Sequence, residues 1–251
     1  MSTAFKPRGL LFDFGGTLVE ELGKDVRAAQ EWLLSQAAHV PENVTLDDVL
    51  ARATRITREV AGRRDELGVE TPWPTLTRLI HDYFGVRFSR PMAELELGFW
   101  QAAVRTRPMP GVAQALDSLH ALGLPMAVVS NTCFGPATIQ YELEKQGLFP
   151  RLQFVVASAN YSVRKPSPLL FEIAAIRLGV AARDIAFVGD RLDTDVLGAR
   201  RAGMKSVWLD PEGRPANGAD PDWTVASWAE LAARVSRAVL KDSARPMLTP
   251  K

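Results

Sequence analysis

The chain has 251 residues, 47% of them hydrophobic and 24% charged, which supplies a proper core without disulfides or structural metal. Thirty Lys+Arg against 29 Asp+Glu leave a formal charge of +1, so bulk electrostatics give no reason to expect nucleic acid or an anionic membrane as partner. The single cysteine, Cys133, excludes an intramolecular disulfide, and no basic, histidine-bearing neighbourhood marks it as a nucleophile. No signal segment and no apolar run near the ~18 residues of a membrane span is visible, so the cytoplasm is the expected compartment.

Taken in chain order, a short apolar run at Leu10–Phe14 predicts a strand buried on both faces, because its apolarity is continuous and not alternating. The next ninety or so residues offer no convincing strand. They carry helical periods through Val26, Ala29, Trp32, Leu33, Gln36, Ala37 and Val40, then near Leu46–Ala61, Leu76–Phe84 and Ala93–Val104. From Pro110 onward helix and strand alternate. Helices are predicted at Val112–Leu122, Leu169–Leu178 and Val196–Ala202, each stopping at a glycine. Strands are predicted at Met126–Ser130, Phe154–Ser158, Ile185–Gly189 and Ser206–Leu209. The expected fold class is α/β: a Rossmann-like, doubly wound parallel sheet formed by residues 1–17 and 108–242, with an all-α domain inserted at 18–107. Residues 243–251, with two prolines, are expected to be a loose tail.

Open parallel sheets bind ligands beyond the carboxyl ends of their strands. Here the first strand ends in Asp13-Phe14-Gly15-Gly16-Thr17, the second core strand in Ser130-Asn131-Thr132, and the fourth in Gly189-Asp190, followed by Asp193 and Asp195. Carboxylates brought together in a buried place need a cation, and a few hard oxygen ligands favour Mg²⁺. Asp193 is read as a first-turn acid favoured by the helix dipole.

In these motifs and their order the sequence resembles the haloacid dehalogenase superfamily. The first motif is Asp13 to Thr17, the second Ser130, the third Lys165 within Arg164-Lys165-Pro166-Ser167-Pro168, and the fourth Gly189, Asp190 and Asp195. The helical insertion stands where that family places a cap, between the first and second motifs. The resemblance implies that Asp13 is a nucleophile that forms an aspartyl-phosphate and that Lys165 balances charge between it and the phosphate. It implies phosphate binding by Thr17, Ser130 and the backbone around Asn131. Mg²⁺ would be held by Asp13, Asp190, Asp195 and the main-chain carbonyl of Gly15. The implied partner is a small phosphorylated molecule, and monomer or homodimer is left open.

Gly15 departs from the pattern. The family's phosphatases carry an aspartate there, which protonates the leaving oxygen and later activates water; that assistance is worth ~10²–10⁴-fold. Glu20, Glu21 or an acid of the insertion are the candidate substitutes, and nothing in the sequence selects one. Three readings stand: a phosphatase with a replaced or absent acid–base group; a 2-haloacid dehalogenase-like or phosphonatase-like hydrolase; and a catalytically impaired relative with a binding role. The dehalogenase reading suffers because Asp190 and Asp195 are both retained, and the phosphonatase reading has only Lys24 in the insertion to stand on. Trp32, Trp73, Phe84, Phe99 and Trp100 read as packing, and His39, His81 and His120 have no spacing partner for a metal.

Overall fold

A computed structural model describes residues 5–240; the tail expected at 243–251 lies outside them. In chain order the elements are β1 (Gly9–Phe12), β2 (Val19–Lys24), α1 (Val26–Ser35), α2 (Leu46–Leu67), α3 (Trp73–His81), α4 (Met92–Ala103), β3 (Val104–Pro108) and α5 (Val112–Ala121). There follow β4 (Met126–Ser130), α6 (Pro136–Lys145), β5 (Val155–Ala157), α7 (Leu169–Leu178), β6 (Ile185–Gly189), α8 (Leu197–Arg201), β7 (Lys205–Leu209), β8 (Trp223–Val225) and α9 (Trp228–Leu240).

Six strands form one parallel sheet in the order β5-β4-β1-β6-β7-β8. Because β1, β4 and β6 are buried along their whole length, each can present alternate residues to two separate layers. Leu10, Phe12, Met126 and Val128 pack on one side with Leu116, Leu119, Trp228 and Leu231 of α5 and α9. Leu11, Ala127 and Val129 pack on the other with Leu170, Phe171 and Ala199 of α7 and α8. This is the α/β, doubly wound sandwich that the apolar runs predict. The chain leaves β1 toward β4 on one side and β6 on the other, so the strand order switches direction at β1. A crevice is expected there, at the carboxyl ends.

The insertion differs from the expected all-helical stretch. Its helices α1 to α4 are framed by β2 and β3, which pair antiparallel as a separate two-stranded ribbon. These strands escape a hydrophobic pattern search because their residues are mostly polar. The ribbon places Glu20 opposite Arg107, and these two join in an ion pair at 2.6 Å. Helix α2 starts with a full capping box, Thr45 and Asp48 exchanging side-chain and backbone hydrogen bonds, and stops at Gly68 in the left-handed region. The apolar layer on the α5/α9 side continues without a break into Leu33, Leu95 and Trp100 of α1 and α4. Val49, Ala53, Ile56 and Ile80 make a smaller core between α2 and α3.

Candidate active site

Asp13 follows β1 directly, and its backbone N–H donates to the Val188 carbonyl at 2.9 Å, extending the sheet ladder one residue past the strand. Its carboxylate therefore emerges at the switch point. Lys165 arrives from the loop between β5 and α7, 3% exposed, and donates from Nζ to Asp13 Oδ1 at 2.6 Å and to the Val129 carbonyl at 3.0 Å. The same Nζ lies 2.8 Å from Asp195 Oδ1. One buried ammonium thus bridges two carboxylates from opposite ends of the sequence. Burial works against the Lys165 charge, but Asp13 and then Asp195 outweigh it, and its pKa stands above the ordinary lysine value.

Asp190 and Asp195 are set by the backbone after β6. Gly189 is required here: a Cβ at that position would overlap the Asp195 carboxylate, which folds back beneath the strand end. There it accepts from the Arg191 N–H at 3.1 Å. Gly16, at φ +77°, is the matching device in the first loop, where a Cβ would come within 2.7 Å of Asp190 Oδ2. Trp208 Nε1 and Arg214 Nη2 fix Asp190 from behind by donating to its carbonyl at 3.1 and 3.2 Å.

Carboxylate oxygens of Asp13, Asp190 and Asp195 lie within 4.8 Å of one another. Against these three acids stands one bridging cation, Lys165. The imbalance shows in the titration of the acids. Burial, with the charge of Asp195 beside it, raises Asp190; burial, only partly offset by Lys165, pushes Asp195 up to about 6. The donor set is hard, anionic and under-neutralised, and it fits a divalent cation of the Mg²⁺ type.

The residues predicted from sequence meet the cavity to different degrees. A cavity of about 750 Å³ opens above Asp13, and Gly15, Ser130, Asn131 and Lys165 all line it. Thr17 does not. It is fully buried, and its hydroxyl donates to Asp190 Oδ1 at 3.3 Å, so here its side chain meets an acid and not the cavity where a phosphate was expected. The Asn131 side chain is also committed: Oδ1 accepts from the Lys165 N–H at 2.8 Å and Nδ2 donates to the Lys165 carbonyl at 3.0 Å. That leaves its backbone and the second Nδ2 proton to meet an anion. Asp193 is held by Arg191 at 2.8 Å, which lowers its pKa. Cys133 lines the cavity as an inert thiol, pushed up to about 12 by burial and then by the charge of Glu70.

The insertion contributes more to this cavity than sequence reading foresaw. Trp100 lines it, in addition to packing, and so do Glu21, Lys24, Arg64 and Glu70. Glu20 points away to Arg107. Glu21, on the same strand but the opposite face, meets the cavity and pairs with Lys24 at 3.0 Å. Gly15 leaves an opening, since a Cβ there would meet nothing within 4 Å.

A sequence profile of the haloacid dehalogenase-like hydrolases matches residues 7–203. The chain belongs to this family. Among relatives of this haloacid dehalogenase-like hydrolase is a glyceraldehyde 3-phosphate phosphatase of Methanopyrus kandleri, 40% identical over 102 residues, covering 40% of this chain and 42% of that one. A phosphoglycolate phosphatase of Thiobacillus denitrificans is 26% identical over 92% of this chain and 96% of its own. The chain spans about half the length of the first curated relatives it matches. In fold it is similar to a haloacid dehalogenase-like phosphatase of Thermococcus onnurineus (TM-score 0.61, 22% identity, 91% of this chain and 97% of that one). It is as similar to a 2-haloacid dehalogenase of Pseudomonas syringae (TM-score 0.61, 19% identity, 95% and 100%). The fold alone therefore does not separate the two chemistries. Among the described residues no helix is long and apolar enough to cross a membrane.

Proposed function

We propose that this hydrolase is a phosphatase that transfers the phosphoryl group of a small phosphorylated metabolite to Asp13 and then to water. The observation that carries the reading is the Lys165 bridge between Asp13 and Asp195 at the floor of the cavity. A carboxylate held there by a cation is an oriented nucleophile, and the surplus acid beside it is what an anionic phosphate and a metal together would balance. Displacement of halide from carbon releases an anion that needs no proton and gives three clustered acids little to do. In that sense the site favours phosphorus over carbon.

In the first step an Asp13 carboxylate oxygen attacks phosphorus in line, the bond to the ester oxygen breaks, and that oxygen leaves with a proton. Ser130, the backbone at Asn131 and Lys165 hold the phosphate oxygens. In the second step water attacks the phosphorus of the aspartyl-phosphate, loses a proton, and releases Asp13 and inorganic phosphate. Mg²⁺ held by Asp13, Asp190, Asp195 and the Gly15 carbonyl would supply charge neutralisation between carboxylate and phosphate. Gly15 can handle neither proton. Of the acids on the cavity wall, Asp193 pairs with Arg191, Glu70 is buried against Arg164 and Ser158, and Glu21, in a half-exposed pair with Lys24, stands on the strand whose first residue, Val19, bridges Gly15. Glu21 is the acid we assign to the proton transfers. The division into a core at 1–17 and 108–242 and a cap at 18–107 belongs to the same proposal, the cap closing the cavity over the substrate.

The test is phosphate release from p-nitrophenyl phosphate and acetyl phosphate with Mg²⁺, for wild type, Asp13→Asn and Gly15→Asp. The reading expects turnover by wild type, loss of at least about 10³-fold in Asp13→Asn, and a gain in Gly15→Asp, whose side chain has room. Turnover unaffected by Asp13→Asn would overturn it.

A further inference from the structure

The insertion touches the α/β core at a second place besides the β2–β3 ribbon, and that contact falls on the two loops carrying Ser130 and Lys165. Residues 68–72, which connect α2 to α3, run alongside residues 162–164. Glu70 N–H donates to the Ser162 carbonyl at 3.2 Å, Arg164 N–H donates to the Gly68 carbonyl at 3.0 Å, and Val69 bridges Val163. One residue into α3, Trp73 N–H donates to the Cys133 carbonyl at 2.7 Å.

Glu70 sits at the centre of this contact with its side chain 3% exposed. Its carboxylate pairs with the Arg164 guanidinium and lies 2.8 Å from Ser158 Oγ. Ser158 Oγ accepts from the Thr132 N–H at 2.8 Å, so its one proton is free to be donated. The charged Glu70 oxygen is nearer than the alternative, the Thr132 carbonyl at 3.0 Å, and is the stronger acceptor. A single buried carboxylate from the insertion therefore ties together the loop after Ser130 and both ends of the segment 158–164.

We infer that Glu70 is a positioning residue for Lys165: by holding Arg164 through charge and Ser158 through a hydrogen bond, it fixes the segment whose next residue reaches Asp13. Without that charge, Arg164 is an unpaired cation on the wall of the same cavity, one residue from Lys165 and free to compete with it for Asp13. The hold exists only while residues 68–72 are seated on the core, which makes docking of the insertion part of assembling the site. The catalytic consequence rests on the phosphatase reading; the placement of Lys165 does not.

The experiment compares wild type with Glu70→Gln, Arg164→Met, the double variant, and Glu96→Gln. Glu96 is a second buried carboxylate of the insertion that also grips the core, through Gly135 N–H at 2.6 Å and Thr138 Oγ1 at 2.7 Å, at the start of α6 and not on the segment 158–165. Two quantities are read: amide hydrogen exchange of residues 158–167, and kcat and KM for p-nitrophenyl phosphate. In Glu70→Gln and Arg164→Met, exchange of this segment should rise at least about tenfold. Their kcat should fall about 10- to 100-fold with KM changed less than about threefold. The double variant should match the singles, because the two residues act as one unit. Glu96→Gln should lower stability without freeing 158–167. Unchanged exchange in both Glu70→Gln and Arg164→Met, or an equal kcat loss in Glu96→Gln, would overturn the inference. A wild type silent on phosphate esters whose segment is nonetheless freed in Glu70→Gln would leave the positioning role standing and remove the phosphatase reading instead.

Discussion

Two neighbouring glutamates on one strand have opposite fates because strand side chains alternate. Glu20 faces Arg107, and Glu21 faces the cavity. If Glu21 moves the protons that Gly15 cannot, its loss must depend on how badly the leaving oxygen needs one. Glu21→Gln should lower kcat for an alkyl phosphate by about 10²-fold, yet leave the phosphorylation step with p-nitrophenyl phosphate nearly unchanged, since nitrophenolate departs without help. Rapid-mixing rates on the two substrates measure this, and equal losses on both would remove Glu21 from the proton path. Asp13, Ser130 and Asp190, which the structure gathers at the carboxyl ends of β1, β4 and β6, were legible in the sequence because each ends a buried strand. Lys165 was legible only through its motif. The contacts made by the Thr17 and Asn131 side chains were not legible, because a hydroxyl that meets Asp190 and an amide that grips the Lys165 backbone leave no pattern along the chain.

At the level of elements, α1 and α4 approach so closely that a Cβ on Gly98 would overlap the Trp32 indole. Replacing glycine by alanine inside a helix ordinarily stabilises by about 1 kcal/mol. Overpacking against a ring costs about 1–3 kcal/mol, so the clash should win. Gly98→Ala is expected to lower the unfolding midpoint in urea, and an unchanged or raised midpoint would contradict the packing. Helix α3 carries a different liability. His81 is buried, donates from Nδ1 to the Thr77 carbonyl at 2.8 Å, and has no partner for Nε2. Burial lowers its pKa from 6.5, so below that value the unfolded chain binds a proton that the folded chain refuses. Stability then falls as the pH drops from 6.5 toward the lower folded value. His81→Phe should lose less Tm than wild type between pH 7 and pH 5; parallel losses would show that His81 is not the source. The core strands that the sequence announced are almost continuously apolar, and the core helices it announced, down to the five-residue α8, were marked by a glycine stop. Strands β2, β3 and β8 are short or polar and owe their existence to partners across the ribbon or at the sheet edge, which no local pattern encodes.

Across the whole molecule, the apolar layer of the sheet runs unbroken into α1 and α4, while buried carboxylates stitch the same junction. Glu142 of α6, fully buried, accepts from Trp100 Nε1 at 2.8 Å and from the hydroxyl of Thr106 on β3. The insertion is thus fastened to the core by charge-assisted hydrogen bonds around a cavity that both parts line. Helical periodicity announced that an insertion exists. It could not announce where the insertion touches the core, because the contacts pair residues as far apart as Gly68 and Arg164. The architecture leads to one expectation about turnover: a nucleophile held ready by Lys165, and a second half-reaction slowed by the glycine at position 15.

The most direct test is the time course of p-nitrophenol release from excess p-nitrophenyl phosphate and Mg²⁺ on rapid mixing, with the phosphorylated residue located by mass spectrometry. The account predicts a burst approaching one equivalent per active site, followed by a slower steady rate, with the phosphate on Asp13. A linear time course with no phosphorylated Asp13 at any point would contradict it.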